Sequence, residues 1–450
     1  MTVRYILTIS LLAALALCGC SPSFPSSYND DGDDGVVRPN DRNVDDAPVL
    51  LSLSDPLYAV ETRGAGSFGP WSLDSLHWKN AVMYVYAFAT DNGIEGGADY
   101  YRDTLCLLNN QAARIQDEFG QLYLCSANGE RMDCYYKQTQ PNTRYKFFMY
   151  HVDDAPMGRP VYTGNTVSRY VSLDGTQDLI HAFAYPTETQ SAQAAATLKM
   201  SESDAARYLY GYRAGLSGLN PILNVQHLLC QREVCIVGQP VNTDEGKYRY
   251  QYQMMAVDDI SFTAAKGGTL MVANDGWERD SYLEDVKNGK VFSPDHAVKE
   301  YKCQLRMNPM QNNAWTRLYN RDVDFDAVRQ QMIDEGKISG SSVYYHLNNR
   351  SGVRDTLTVR PMLLPAQMEY VLDIGGYYAD IDSEGNCVIR DLPLNPIRVA
   401  SADGKGFLCG HHYTLILTMY GLQKIALSGL LDEWVEDGVV HVNTLNLQPL

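Results

Sequence analysis

The sequence predicts a mainly β protein of β-sandwich type with a few short helices. Three observations predict it. Tyr is abundant, 31 against 11 Phe, and Gly reaches 35, a balance that favours strands and turns over long helices. Apolar residues alternate along several short runs, with the period of two expected of a strand. Turn signals recur at Asp91-Asn92-Gly93, Ala127-Asn128-Gly129 and Asp174-Gly175, the cadence of a sandwich. The 450 residues suffice for two or three domains with a sizeable core. A formal net charge of −17 makes the chain a poor candidate for sequence-independent nucleic-acid binding, which depends on neutralising phosphates with Lys and Arg.

At the N-terminus, Arg4 and the apolar run Ile6–Leu17 read as a signal segment, residues 1–19. The run falls short of the roughly 20 apolar residues that a bilayer span needs. It ends in Leu17-Cys18-Gly19-Cys20, which resembles a bacterial lipobox with Gly19 before a lipidated Cys20. Ser21 follows, not the Asp that retains such lipoproteins in the inner membrane. The resemblance implies an outer-membrane or cell-surface destination and contact with the membrane through an N-terminal lipid.

Residues 20–47 read as an acidic, flexible tether with Pro22, Pro25, Pro39 and the run Asp30-Asp31-Gly32-Asp33-Asp34. No register of that run supplies the alternating ligands, the Gly at the sixth and the Glu at the twelfth position of an EF-hand loop, so it reads as solvated chain. Val49, Leu51 and Leu53 then share one face of a short strand, which Asp55-Pro56 ends. Glu61-Thr62-Arg63-Gly64-Ala65-Gly66 has the composition of a loop that proteases cut.

The first domain, 64–186, holds the strands Val82–Phe88 and Tyr145–Val152, each with both faces largely apolar, and leaves through Asp178–Tyr185. The second, 187–450, opens with a helix over Ser201–Tyr210, Ser201 serving as N-cap. Its strands include Ile222–Gln226, Tyr248–Val257, Leu270–Ala273 and Tyr370–Ile374. A region of about 276–344 reads as an insertion, with a short amphipathic helix over Phe325–Glu335. The closing pattern is the clearest. Tyr413, Leu415, Leu417 and Met419 line one strand, Ile425, Leu427 and Leu431 another, and Val439–Leu447 forms one more. Eight Cys remain beyond the lipobox; no CxxC pair occurs among them, which argues against a zinc ribbon, and their spacing fixes no disulfide pairing.

Taken in order, these pieces resemble the fimbrillin family of the Bacteroidales, the subunits of type V pili. The resemblance is carried by the lipobox at Cys20, the tether, the short apolar strand and Arg63-Gly64. It continues through Val82-Met83-Tyr84-Val85-Tyr86-Ala87-Phe88, Gln177-Asp178-Leu179-Ile180 and Pro221–Leu229, and ends with Leu364-Pro365-Ala366-Gln367 and the hairpin from His412 to Trp434. It implies two transthyretin-like, Greek-key β-sandwich domains. It also implies export as a lipoprotein, removal of the N-terminal segment with its first strand by a trypsin-like surface protease, and growth of the pilus by strand exchange with other subunits.

Carried onto this chain, residues 48–63 are the removable strand and cleavage loop, with Val49, Leu51 and Leu53 filling the groove and cleavage at Arg63-Gly64. The candidate donor is the C-terminal strand with Val439, His441, Leu445 and Leu447, although neither face of it is uniformly apolar. Position as stalk or tip, and any host or bacterial receptor or glycan, stay open at this point.

Catalytic signals are absent. No HExxH, GxxxxGK[ST] or GxSxG occurs, and Gly64–Gly69 is off register for the last. His411-His412 and Asp258-Asp259 are adjacent strand residues that point to opposite faces, so neither pair shares one ion or one proton. His227 reads as a hydrogen-bonded structural residue. The expectation is therefore a non-enzyme without cofactor or metal. The competing reading is an uncleaved, surface-anchored glycan-binding lipoprotein with Tyr101, Tyr135, Tyr136, Tyr377 and Tyr378 as stacking platforms. Asp-Ser/Thr-Leu tripeptides starting at Asp74, Asp103 and Asp355 resemble the Bacteroidales O-glycosylation signal.

Overall fold

Alternation of apolar residues is realised as paired strands. The structure, a computed structural model, describes residues between Pro48 and Val442. The principal stretches outside the description are 1–47, 55–80, 95–105, 239–253, 307–329, 336–344, 347–355 and 443–450. Most of the predicted Phe325–Glu335 helix and the Asp-Ser/Thr-Leu tripeptides at Asp74 and Asp103 lie outside it, as does Asp355, whose Thr356 and Leu357 open a strand of the second sandwich.

The N-terminal sheet contains β1 (Leu51–Leu53), β2 (Met83–Ala89), β3 (Cys106–Ile115), β4 (Gln121–Cys125), β5 (Arg131–Met132), β6 (Tyr145–Val152), β9 (Leu179–Ala184) and β10 (Ile222–His227). Its order is β1-β10-β9-β6-β2-β3-β4-β5, and β1 pairs with β4 as well. The pairings therefore form a closed ring, with β5 attached outside it to β4. Period-two alternation sends Met83, Val85 and Ala87 into one core and Tyr86 and Phe88 into another. The central strands bury both faces, as their composition predicts.

The inner core is the ring's own. The outer face is covered by a smaller sheet, in the order β14-β13-β8-β7, made of β7 (Val161–Thr163), β8 (Thr166–Ser172), β13 (Gly267–Asn274) and β14 (Phe292–Pro294). Helix α3 (Arg279–Lys287) lies between the last two of these in sequence. Trp277, Tyr282, Val291 and Phe292 share this outer core with Phe148 and Phe183.

This placement corrects two expectations. Strand β10 pairs with β9 and β1, so it belongs to the N-terminal ring, not beyond a boundary at residue 186. The first part of the 276–344 region is no loose insertion: its buried Trp277 and Tyr282 complete the core of the N-terminal sandwich.

The remaining strands form the second sandwich. One sheet runs β16-β18-β11-β23-β24-β25, with β19 also on β11. It comprises β11 (Leu229–Gly238), β16 (Leu305–Arg306), β18 (Thr356–Val359), β19 (Met362–Pro365), β23 (His411–Met419), β24 (Ile425–Glu433) and β25 (Val439–Val442). The facing sheet runs β15-β12-β20-β21, with β17 on β12 and β22 on β20. Its strands are β12 (Met254–Ala265), β15 (Val298–Lys302), β17 (Tyr345–His346), β20 (Glu369–Ile381), β21 (Cys387–Asp391) and β22 (Ile397–Ala400).

Only Lys266 separates β12, in this sandwich, from β13, in the first. The crossing needs glycine: a Cβ at Gly267 would run into the Val171 carbonyl oxygen, and one at Gly268 into that of Ser293. The Tyr301 hydroxyl donates to the Ala265 carbonyl (2.7 Å) beside it.

Two helices follow β9. Helix α1 (Glu188–Leu198) starts at a capping box between Thr187 and Gln190. Helix α2 (Glu202–Tyr208) starts where Ser201 Oγ accepts from Asp204 N (3.1 Å), the N-cap that the sequence marks.

Polar groups also join the crossing segment to the ring. Lys146, nearly fully buried, donates to the Asp275 carbonyl and sits 3.6 Å from its carboxylate. His181 is fully buried, with Nδ1 3.0 Å from the Tyr282 hydroxyl and Nε2 3.2 Å from the Val272 carbonyl oxygen. Burial lowers its pKa to about 4, the Val272 contact opposing the shift.

Trp277→Ala removes the largest fully buried side chain of the outer core. It should cost about 3–5 kcal/mol of stability in urea denaturation, a loss that a dispensable insertion would not show. The His181 shift sets a sign as well. The unfolded imidazole protonates near pH 6.5, before the folded one, so stability is full above that pH and declines as pH falls toward 4. His181→Asn should flatten the stability profile between about pH 6.5 and 5; an unchanged slope in that window would assign the decline to other groups.

Candidate functional site

The candidate site is the groove occupied by β1. The strand is only three residues long, Leu51–Leu53, yet it is held along both edges. Toward β4 it runs antiparallel, with Leu51 opposite Leu122 and Ser52 opposite Gln121. Leu53 N donates to the Gly120 carbonyl (2.9 Å), and Val49 N to that of Cys134 (2.8 Å). Toward β10 it runs parallel, with Ser52 opposite Ile222 and Leu53 opposite Leu223. There Ser52 N donates to the Pro221 carbonyl (3.2 Å) and Ser54 N to that of Leu223 (2.8 Å).

Side chains follow the alternation. Val49, Leu51 and Leu53 are 8%, 4% and 6% exposed and belong to the inner core with Leu122, Leu124, Leu223 and Val225. Leu50, on the other face, is 50% exposed. Burial of three such side chains stabilises by about 5–9 kcal/mol at 1.5–3 kcal/mol each, an upper bound because an unfolded chain already buries some apolar surface.

Sequence reading missed several supporting groups. Ser54 Oγ accepts from Val225 N (3.3 Å), adding a side-chain contact to the β10 edge. Gly120, with φ +77°, makes the turn that delivers its carbonyl to Leu53. The Asp117 side chain accepts from Gln121 N (3.1 Å) in the same turn. An Asp three residues before a Gly was the available signal.

The other predicted residues fall as follows. Cys20, Arg63, Gly64, Leu445 and Leu447 lie outside the described residues. Val439 and His441 lie in β25, opposite Asp432 and Leu430 of β24. That strand pairs along one edge only among the described residues, whereas β1 pairs along two.

His227 takes the predicted structural part: its Nδ1 is 2.9 Å from the fully buried carboxylate of Asp178. Asp178 also accepts from Leu179 N (2.7 Å). His411 Nδ1 turns to the Cys409 carbonyl oxygen (2.7 Å) and His412 Nε2 lies 3.8 Å from Glu233, so the two do not converge. Asp259 pairs with Lys302 (3.2 Å) on the surface. Among the described residues no group of three or more His, Cys, Asp and Glu is arranged to hold a metal ion.

The tyrosine platforms separate. Tyr135 is 45% exposed, but Tyr136 is buried in the inner core, edge-on to Phe147 (6.3 Å between centroids). Tyr377 and Tyr378 lie in β20 opposite Asp391 and Arg390, and Tyr101 is outside the described residues.

No family model matches the chain, and no curated protein matches it. Solved structures do. The solved structures it is similar to include fimbrial and adhesion proteins of the Bacteroidales. A fimbrial protein of Bacteroides vulgatus is 8% identical, over 86% of this chain and 99% of that one, with a TM-score of 0.44. A protein described as a cell adhesion protein of Bacteroides uniformis is 12% identical, over 86% and 98%, with a TM-score of 0.36. The fimbrial anchor protein Mfa2 of Porphyromonas gingivalis is 9% identical, over 88% and 99%, with a TM-score of 0.30. At such values the likeness assigns no residue, and the site stands on its own geometry.

That geometry gives a graded expectation. Leu51→Ala and Leu53→Ala should each lower stability by about 2–5 kcal/mol, while Leu50→Ala on the outer face should stay within about 0.5 kcal/mol. Chemical denaturation of the three variants checks the contrast. Equal losses at all three positions would be incompatible with a one-faced plug.

Proposed function

We propose that the chain is a structural or adhesive subunit, stalk or tip, of a type V pilus, working without catalysis or cofactor. In this reading it is exported as an outer-membrane lipoprotein through Cys20 and cut after Arg63 by a trypsin-like surface protease. It then takes a neighbouring subunit's strand into the groove that β1 leaves.

One observation supports this most: β1 is paired on both edges and buried on one face. Its departure would open two strand edges and an apolar floor together. Backbone donors and acceptors on an open edge are templates for another extended segment, and a floor of alternate apolar positions selects its side chains. The C-terminal segment with Val439, His441, Leu445 and Leu447 is the donor in this reading, β25 having one paired edge to give up.

The test is the N-terminus of the protein assembled at the cell surface, read by mass spectrometry. Gly64 is the expected first residue, and Arg63→Ala should leave full-length lipoprotein at the membrane with few or no filaments. Filaments built from chains that still begin at Cys20 would overturn the reading.

A further inference from the structure

The strand-exchange reading leaves a second crossing between the two sandwiches unused. Only Leu228 separates β10, in the N-terminal ring, from β11, in the second sandwich. The backbone stays bonded as it crosses: Leu228 N donates to the Leu179 carbonyl (2.9 Å), and the Leu229 carbonyl accepts from Gly410 N (2.8 Å). Leu228 and Leu229 are both buried in the outer core. Strands β10 and β11 therefore make one nearly unbroken line through both bodies.

Both parallel pairings among the described residues fall on that line. Strand β10 is parallel to β1, with Ser52 opposite Ile222 and Leu53 opposite Leu223. Strand β11 is parallel to β23 over a longer stretch, from Gln231 opposite His412 to Gly238 opposite Met419. Side chains reinforce the second pair: Val234 opposite Leu415 and Ile236 opposite Leu417 lie in one apolar core.

Chain order decides how a pull reaches these strands. Tension from the N-terminal side draws β11 toward its own start, and tension from the C-terminal side draws β23 toward its own end. In a parallel pair those directions are opposite along one axis, so the strands must slide past each other. The evenly spaced bonds between them then share the load, and the facing apolar side chains must leave their packing together. An antiparallel hairpin such as β23–β24 is instead opened from one end, bond by bond. Resistance to forced unfolding is set by the unfolding barrier, and a shared load makes that barrier high.

We propose that the β11–β23 pair is a shear clamp, the point of greatest resistance when the chain is stretched by its ends, and that it equips the protein to carry tension. The clamp follows from topology and acts whether or not β1 is cleaved and exchanged.

Single-molecule force spectroscopy on the full chain tests it by changing the direction of load. Handles at Asn220 and Gly421 load β11 and β23 from opposite ends, whereas handles at Gln239 and Gly421 load them from the same end. The first geometry should need a several-fold higher rupture force than the second. Held by its two termini, the unaltered chain should show its highest-force event as the release of Leu229–Met419, about 190 residues or roughly 650 Å of extended chain. If an internal handle disturbs folding, this last measurement decides. Equal rupture forces in the two geometries, or a highest-force event of clearly different length, overturns the proposal.

Discussion

A strand of three residues is paired on both of its edges, and the ring of the N-terminal sheet closes only through it. The strand is parallel to β10 and antiparallel to β4. A parallel partner cannot be reached by a tight hairpin, so this short element joins portions of chain far apart in sequence. Its shortness also concentrates its effect. Three apolar side chains and a handful of main-chain bonds stand between a closed ring and two exposed edges. The inner core, from Met83 to Val225, is enclosed on the condition that β1 is present.

The other constraint is the crossing at Lys266. A chain that moves from one sandwich to the other between consecutive strands gives the two bodies a shared backbone. Gly267 and Gly268 permit it by letting strand backbones approach where a side chain would collide. The segment then pays its way in the first body with Trp277, Tyr282 and Phe292 on the outer core, and with Asp275 beside Lys146. The N-terminal ring therefore has an inner core that depends on β1 and an outer core that depends on chain arriving from beyond residue 266.

Much of this was legible in the sequence, for a physical reason. Where a strand buries both faces, as in β2 and β6, composition alone marks it. Where it buries one, as in Val49, Leu51 and Leu53, the period of two marks it. Those signals are local, and they gave β2, β6 and the N-cap at Ser201 within a residue or two but only part of β12, β13 and β20. What escaped was the long-range pairing. Nothing local to Ile222–His227 says that its neighbours are β9 and β1 rather than the strands that follow it. Helix α3 escaped because its apolar contacts, Tyr282 and Val286, are few on a short and otherwise polar element. The Thr187-x-x-Gln190 capping box that begins α1 was written in the sequence and went unread. Tyr136 shows the limit of residue type as a guide: beside an exposed Tyr135, it is core. At Arg232 the alternation assigns the position to the core, and the rings of Phe407, Tyr413 and Tyr370 receive the guanidinium there.

The two cores together bear on how a plug strand could leave without the sandwich being lost. The estimated contribution of β1, about 5–9 kcal/mol as an upper bound, is comparable with the whole stability of a typical domain, about 5–15 kcal/mol. A ring that relied on its inner core alone would be at the edge of unfolding once opened. Here the strands that form that ring also carry Tyr86, Phe88, Phe148, Tyr150 and Phe183 on their outer faces. Those residues pack against a sheet that β1 does not touch and that is anchored through Lys266 to the second sandwich. Loss of β1 removes inner packing and opens two edges, but leaves the outer core and its covalent brace in place. On the proposed strand exchange, the opened ring would be a template held in shape from outside, rather than a chain seeking a new fold. The crossing of β12 into β13 and the short strand β1 are in this sense two parts of one arrangement, the first being what would make the proposed departure of the second survivable.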